Sequence, residues 1–293
     1  MTTAFEGGSG VPADTHEVVT LRSGSLAMRN KANGEVMHPG TGPQVEPRVL
    51  YIEPSRLQAR LEEQIEAPLV LFDVGLGAAS NAVAAWNVAE ALGPSARRLH
   101  IVSFENDLGS LRLALEHPAA FGLESEAAQA AARALLREGT FETPRTRWEL
   151  RVGDVQAELG RVAGVKADLV YWDMYSPLHA PELWSSGHFA ALHRHCALGA
   201  TLHTYSNATA ARAALLLAGF FVGTGIETGF KEQTTMAATT LASLVNPLGA
   251  RWLERLHRSS SPFPVDVPKD EAGRAQAFAA IHAHPQFAAP VTR

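Results

Sequence analysis

Four short apolar runs in the middle of the sequence each end at or beside an acidic residue, and this feature constrains the fold more than any other. Stretches with helical periodicity separate the runs. Apolar strands that alternate with helices are typical of a parallel sheet covered on both faces. The sequence therefore predicts an α/β fold, with strands at Leu69–Val74, Leu99–Phe104, Arg147–Val152 and Leu169–Trp172.

Three further strands complete the predicted sheet. They are a fifth strand at Thr201–Tyr205 and a final antiparallel pair at Phe220–Ile226 and Met236–Leu244. We expect residues 1–14 to be disordered and residues 15–66, with a hairpin arm and a short helix, to cap a core at 67–246. Residues 247–293 would form a C-terminal extension. The result is a seven-stranded, mostly parallel sheet with an N-terminal cap segment.

Composition narrows the class of protein. The 293 residues include no apolar run long enough to span a membrane, and the first 20 residues lack the apolar region of a secretory signal. A single cysteine, Cys196, cannot form an internal disulfide, so we expect a cytoplasmic protein. The net charge of -5 argues against tight, phosphate-driven binding of nucleic acid.

Acidic residues cluster at one predicted edge of the sheet. Asp73, Glu105, Asp154 and Asp173 each lie at or just after the end of a strand. Ligands of open parallel sheets bind outside the carboxyl ends of the strands, so these side chains predict a binding site. Each also has a simpler interpretation, because aspartate is common in turns and at helix N-caps.

The stretch from Asp73 to Asn81 reads D-V-G-L-G-A-A-S-N and follows the first strand. Two glycines allow a sharp turn and a close approach of the backbone to a ligand, and a helix begins just behind them. A dinucleotide fingerprint needs a third glycine where Ser80 stands. An acidic residue before the first glycine suits a ligand with a cationic amino group, such as S-adenosylmethionine. A plain tight turn is the alternative.

The ends of the next two strands suit the nucleoside part of such a ligand. Glu105, followed by Asn106, can accept hydrogen bonds from both hydroxyl groups of a ribose. Asp154 can accept one from an adenine amino group. Helix N-caps are the alternative at both positions.

The loop after the fourth strand is the most distinctive part of the sequence. Asp173 ends the strand, in a position to orient an acceptor amine and take up its proton. Tyr175 and Trp184 could enclose an acceptor ring, with Pro177 between them in the chain, or both aromatic residues could simply pack the loop.

Eight segments resemble the methyltransferase domain of MnmC-type enzymes, over a region from about Leu21 to Pro264. They are D-V-G-L-G (73–77), S-F-E (103–105), G-D (153–154), D-M-Y-S-P (173–177), P-E-L-W (181–184), T-Y-S (204–206), A-G-F (218–220) and G-F-K (229–231). The enzymes of this family finish 5-methylaminomethyl-2-thiouridine at the wobble position of tRNA. The resemblance implies a Rossmann-like class I methyltransferase with S-adenosyl-L-methionine as cofactor and a primary amine of a modified uridine as acceptor.

The resemblance also implies roles for particular residues. Asp73, Gly75 and Gly77 would hold the methionine half of the cofactor, with Asn81 in the same stretch. Glu105 and Asn106 would hold the ribose and Asp154 the adenine. Glu46 matches an acidic position that faces the cofactor pocket in the family. Asp173 would contact the cofactor as well, and Asp173 and Tyr175 would be catalytic. The residues expected to bind substrate are Tyr175, Pro177, Trp184 and Lys231.

Two departures leave the acceptor open. Met174 and Tyr175 replace the Gly and Phe of the usual family loop, and 293 residues cannot include the oxidase domain fused to many relatives. The alternatives are methylation of a small-molecule or peptide-derived amine and cofactor binding without catalysis. An NAD-dependent oxidoreductase is disfavoured by Ser80.

Other candidate sites are weaker. His193 and His195 point in different directions on a predicted helix, and no second ligand cluster follows, so we expect no metal site. Lys231 is either a surface cation or a contact to an RNA phosphate. Arg212 is interpreted most simply as a solvated residue.

Overall fold

A computed structural model describes residues 15–37, 45–226 and 233–288. Its centre is an eight-stranded sheet in the order β5-β6-β4-β3-β7-β8-β10-β9. The five strands from β6 to β8 are mutually parallel, and β5 and β10 run antiparallel to their neighbours. The strands of this sheet are β3 (Leu69–Val74), β4 (Leu99–Glu105), β5 (Thr140–Glu142), β6 (Thr146–Val152), β7 (Ala167–Trp172), β8 (Cys196–Thr204), β9 (Phe221–Thr224) and β10 (Thr235–Ala238).

Helices cover both faces of the sheet, and side chains that accept a backbone N–H mark where several of them begin. Ser125, Asp154, Ser185 and Asp270 are such N-caps. The α-helices are α1 (Leu57–Leu61), α2 (Ser80–Glu90), α3 (Gly109–Glu116), α4 (Glu126–Glu138), α5 (Val155–Leu159), α6 (Ser186–Arg194), α7 (Thr209–Leu217), α8 (Ala250–Arg258) and α9 (Glu271–His282).

The apolar strands are buried because both of their faces carry a core. Leu69 and Leu71 of β3 belong to the core on one face of the sheet. Val70, Phe72 and Val74 belong to the core on the other. This alternation explains why β3 is apolar at nearly every position, as expected for a central parallel strand.

The N-terminal region forms a separate antiparallel hairpin of β1 (His16–Thr20) and β2 (Leu26–Asn30). A helical turn at Arg48–Ile52 then enters the core through Tyr51, which is fully buried. The turn therefore packs against the sheet, and the hairpin contacts α3 and the loop after β7.

The α/β prediction is confirmed, with differences in the details. The sheet has eight strands because Thr140–Glu142 adds a short antiparallel edge. The C-terminal extension forms two helices, α8 and α9, of which the sequence predicts part of the second. The interpretation of Arg212 as solvated is wrong: it is 3% exposed, and its guanidinium donates to the Thr235 hydroxyl and the Thr234 carbonyl oxygen. None of the helices in the described part of the chain has the length and apolar character needed to span a membrane.

Candidate active site

The candidate site lies where the order of strands reverses. From β3 the chain proceeds to β4 and β6 on one side and later to β7 and β8 on the other. The loops after β3 and β7 meet at this switch point, where ligands of such sheets bind. Gly75 has a φ of +89°, and a Cβ there would lie 2.6 Å from the Asp173 carbonyl oxygen. Glycine is therefore required by the close approach of the two loops.

Asp73 is the most deeply buried carboxyl group of the site, at 1% exposure. Its Oδ2 accepts a hydrogen bond from the Ser103 hydroxyl at 2.8 Å, and that hydroxyl accepts one from Trp148 Nε1 at 2.9 Å. Burial raises the pKa of Asp73 to about 7 against the hydrogen bond from Ser103. The carboxyl is thus poised between its neutral and charged forms at neutral pH.

Three buried polar atoms near the switch point have no hydrogen-bond partner within the described part of the chain. They are Oδ1 of Asp73, the hydroxyl of Ser80 and Oδ1 of Asn81. Ser80 and Asn81 form the first turn of α2, whose free N–H groups and positive dipole end lie at the same place. Unpaired buried polar atoms are costly, so their concentration here fits a polar ligand.

Glu105, at the end of β4, binds the backbone of the glycine loop after β3 and of the segment after β4. One carboxylate oxygen accepts the N–H of Gly77 at 2.8 Å. The other accepts the N–H groups of Asn106 at 2.8 Å and Asp107 at 3.0 Å. Burial raises the pKa of Glu105, and these three N–H donors oppose that rise. The glutamate predicted to bind a ribose thus also fixes the glycine loop.

Asp173 is held by residues from two distant parts of the chain. Its Oδ1 accepts a hydrogen bond from the Tyr51 hydroxyl at 2.7 Å, and its Oδ2 accepts one from Asn81 Nδ2 at 2.7 Å. Each oxygen keeps a further lone pair. The two hydrogen bonds therefore orient the carboxylate and leave it able to accept further hydrogen bonds. The sequence gives no signal for Tyr51, which lies in an apolar run 122 residues before Asp173.

The aromatic residues after β7 support the loop. Trp184 is 2% exposed, packs against Phe189 and Tyr205, and donates from Nε1 to the Tyr175 carbonyl oxygen at 2.7 Å. The Tyr175 hydroxyl is bonded to His16 and Asn30. Trp184 is thus buried behind the loop and holds the backbone at Tyr175.

Carboxylates surround two tyrosines beside Asp173. Burial, Asp173 and, more weakly, Glu46 raise the pKa of the Tyr51 hydroxyl. Burial, Asp173 and Glu35 raise the pKa of the Tyr205 hydroxyl. Both phenols therefore stay neutral, and the negative potential around them favours a cationic ligand.

Other predicted residues occupy more ordinary positions. Asp154 caps α5 by accepting the Ala157 N–H at 3.0 Å, and Pro177 is half-buried in the loop after β7. Lys231 lies outside the described residues. Within the described ranges, histidine, cysteine and acidic side chains form no group of three or more able to hold a metal ion.

Comparisons with known proteins agree with this geometry. The sequence model of a family described as S-adenosyl-L-methionine-dependent methyltransferase matches residues 124–240. The tRNA 5-methylaminomethyl-2-thiouridine biosynthesis bifunctional protein MnmC of Burkholderia vietnamiensis is 30% identical over 80% of this chain and 35% of its own length. MnmC of Methylibium petroleiphilum is 30% identical over 84% of this chain and 38% of its own length. The chain thus spans little more than a third of these relatives.

A solved structure extends the likeness to the whole fold. The crystal structure of MnmC2 from Aquifex aeolicus superposes with a TM-score of 0.69 and 25% identity, over 94% of this chain and 84% of that one. The sheet, the site at its switch point and these matches define an S-adenosyl-L-methionine-dependent methyltransferase. Within that class, the chain is similar to the MnmC proteins over most of its length.

Proposed function

We propose that this enzyme transfers a methyl group from S-adenosyl-L-methionine to the aminomethyl group of 5-aminomethyl-2-thiouridine at the tRNA wobble position, in the cytoplasm. The observation that carries the proposal is the oriented carboxylate of Asp173 beside unpaired buried polar atoms at the switch point. The names of the MnmC relatives supply the class of acceptor.

The residues at the switch point fit the cofactor. Oδ1 of Asp73 and Oδ1 of Asn81 would accept hydrogen bonds from the ammonium group of the cofactor. The Ser80 hydroxyl, at the start of α2, would donate a hydrogen bond to the carboxylate of the cofactor. Glu105 would accept the ribose hydroxyls, with Asn106 beside it and Asp154 toward the adenine. Glu46 would add negative charge that favours the sulfonium.

The cofactor supplies an activated methyl group, and the protein positions the acceptor. The amine nitrogen forms a bond to the methyl carbon while the carbon–sulfur bond breaks, leaving S-adenosylhomocysteine. The nitrogen then carries one proton too many. Asp173, fixed by Tyr51 and Asn81, orients the amine through its free lone pairs and takes up that proton.

One surface feature supports a nucleic acid as the acceptor. Arg251, Arg255 and Arg258 are exposed and follow one side of α8 at intervals of four and three residues, whereas Trp252 and Leu256 on its other side are buried. In the residues that the structure describes, none of the three arginines forms an ion pair with a carboxylate. We call these residues the α8 arginine stripe.

Arg255 connects the stripe, through Arg212, to the carboxyl end of β8. Burial and the charge of Arg255 lower the pKa of Arg212 to about 10, so the two arginines lie near each other. Arg212 bonds to Thr235, which pairs with Thr204 at the end of β8. A cationic stripe in this position suits the phosphates of a bound tRNA, although the net charge is negative.

The direct test uses tRNA from a strain that accumulates the unmethylated aminomethyl nucleoside. Purified enzyme and S-adenosylmethionine should convert it to the methylaminomethyl form, detected by mass spectrometry of nucleosides. Asp173→Asn should still bind S-adenosylhomocysteine in calorimetry yet lose most turnover, whereas Glu116→Gln, an exposed change on α3, should behave as wild type. Normal turnover by Asp173→Asn would show that the role of Asp173 is wrong. Activity on small amines alone would show that the tRNA role is wrong.

The stripe is tested by salt dependence. Replacing all three arginines of the stripe by glutamine should weaken tRNA binding and reduce the slope of log affinity against log salt by about 2 to 3. Turnover at saturating tRNA should change little. Arg133→Gln combined with Arg137→Gln on α4, near the opposite edge of the sheet, is the matched control. An unchanged slope would rule out the stripe as the tRNA surface.

A further inference from the structure

A single imidazole links the two sides of the candidate active site. His16, the first residue of β1, is 6% exposed. Its Nε2 lies 2.7 Å from the Tyr175 hydroxyl, in the loop after β7. Its Nδ1 lies 2.9 Å from the Thr15 hydroxyl and 3.6 Å from Asp107 Oδ2, in the segment after β4. The hairpin thereby reaches across the cleft between the two loops.

The donors and acceptors define how this link works. Asn30 Nδ2 donates to the Tyr175 hydroxyl at 3.0 Å. The Asp107 carboxylate beside Nδ1 favours a ring that carries its hydrogen on Nδ1, and the Tyr175 hydroxyl then donates to Nε2. Nε2 is then an acceptor, and Nδ1 carries the hydrogen toward Thr15 and Asp107. Burial lowers the pKa of His16 although Asp107 opposes this, which agrees with a neutral ring.

Both ends of the link lead to residues of the proposed reaction. Asp107 gives its backbone N–H to Glu105, the proposed ribose acceptor, and its side chain accepts the N–H of Gly109 at the start of α3. Tyr175 lies two residues after Asp173. Glu105 and Tyr175 are thus joined by a continuous chain of contacts through Asp107 and His16.

A second tether attaches the same hairpin region to the same loop. Glu35, shortly after β2, accepts the N–H of Ser176 at 2.9 Å and lies 3.1 Å from His179 Nδ1. Tyr175 differs from phenylalanine only by the hydroxyl group that contacts His16. The contact is thus separable from the ring packing that phenylalanine also provides.

We propose that His16 is a positioning residue, which couples cofactor binding beside Glu105 to the conformation of the acceptor loop, residues 173–180. The inference rests on the proposed function in that it takes the cofactor to bind there. It assigns the hairpin a part in the active site, and it accounts for the Tyr175 hydroxyl without making that hydroxyl a proton acceptor for the amine.

Hydrogen–deuterium exchange with mass spectrometry tests this coupling without any turnover. Adding S-adenosylhomocysteine to the wild type should slow exchange in the acceptor loop. The slowing should be about two- to tenfold, the range that one hydrogen bond provides. His16→Asn keeps an amide near the position of Nδ1 but does not reach Tyr175, so the slowing should disappear at residues 175–180, whereas Asp173 keeps its own hydrogen bond from Asn81. Tyr175→Phe removes the same hydrogen bond and keeps the ring, so it should give the same result. It replaces His16→Asn in this test if the histidine variant is unstable.

The matched control is Glu17→Gln. Glu17 is the next residue of β1, is about half exposed, and pairs with Arg29 at 3.2 Å on the hairpin surface. This variant should retain the slowing seen in the wild type. The double variant His16→Asn with Tyr175→Phe should lose no more protection from exchange than either single variant, because both substitutions remove the same contact.

Calorimetry separates the possible failures. All variants should bind S-adenosylhomocysteine within about threefold of the wild type, since Asp73 and Glu105 are unchanged. The coupling alone would be overturned if the wild type bound the ligand without protection of the loop. It would also be overturned if His16→Asn and Tyr175→Phe showed the same protection as the wild type. Failure of the wild type to bind the ligand would overturn the proposed function itself.

Discussion

Asp73 provides the most direct test of the cofactor site, because its burial raises its pKa and a cationic ligand beside it must lower that pKa again. Burial raises the pKa of this carboxyl from 3.8 to about 7. At pH 6 the carboxyl is therefore about 90% protonated, and at pH 8 about 10%. An ammonium group placed beside it stabilises the carboxylate and lowers the pKa. Binding of S-adenosylhomocysteine should thus release about 0.9 proton at pH 6 and about 0.1 at pH 8.

Titration calorimetry in two buffers of different ionisation enthalpy measures this release. Asp73→Asn keeps the shape of the side chain but cannot ionise, so the release at pH 6 should disappear. The gain in affinity of the wild type with pH, up to about tenfold per unit below pH 6, should disappear as well. Glu116→Gln is the control. Equal proton release from the wild type and Asp73→Asn would refute the reasoning.

The same pKa predicts the stability of the ligand-free protein. Because the folded-state pKa lies above the unfolded value, the contribution of Asp73 is fully present below pH 3.8 and is lost as the pH rises through 7. The full loss is at most about 4 kcal/mol at pH 8. Asp73→Asn should therefore raise the free energy of unfolding more at pH 8 than at pH 4 in urea titrations. A pH-independent effect would contradict this.

Three further changes test the surrounding geometry. Ser103→Ala removes a hydrogen bond that lowers the pKa of Asp73, so proton release in the same calorimetry should persist to higher pH than in the wild type. Gly75→Ala forces a methyl group against the Asp173 carbonyl oxygen at a φ of +89° and should destabilise the fold by about 1–3 kcal/mol or more in thermal unfolding; an unchanged melting temperature would argue against the close approach. Tyr51→Phe removes a hydrogen bond to the Asp173 carboxylate and should lower kcat by about tenfold or more with little change in the KM for the cofactor. A change confined to KM would argue against that role.

The fold could be predicted because its signals are local. A central strand such as β3 is apolar on both faces, and glycine with proline ends α2 in the sequence. The elements that were missed have weak local signals. Thr140–Glu142 is too short for any periodicity, and α8 carries so many charges that only Trp252 and Leu256 mark its buried side. The burial of Arg212 has no local signal either, because it depends on β10, which packs over Arg212 only in the folded chain.

Strand ends and glycine turns are encoded by neighbouring residues, so the amino-acid sequence is enough to place residues at the carboxyl edge of the sheet. It therefore predicted the positions of Asp73, Glu105 and Asp173. The partners of those carboxylates, in contrast, come from distant parts of the chain and follow from the folded arrangement. Tyr51 reaches Asp173 across 122 residues, and His16 reaches Tyr175 across 159. Such pairs depend on how the N-terminal region packs against the sheet, and no periodicity within either segment records that packing.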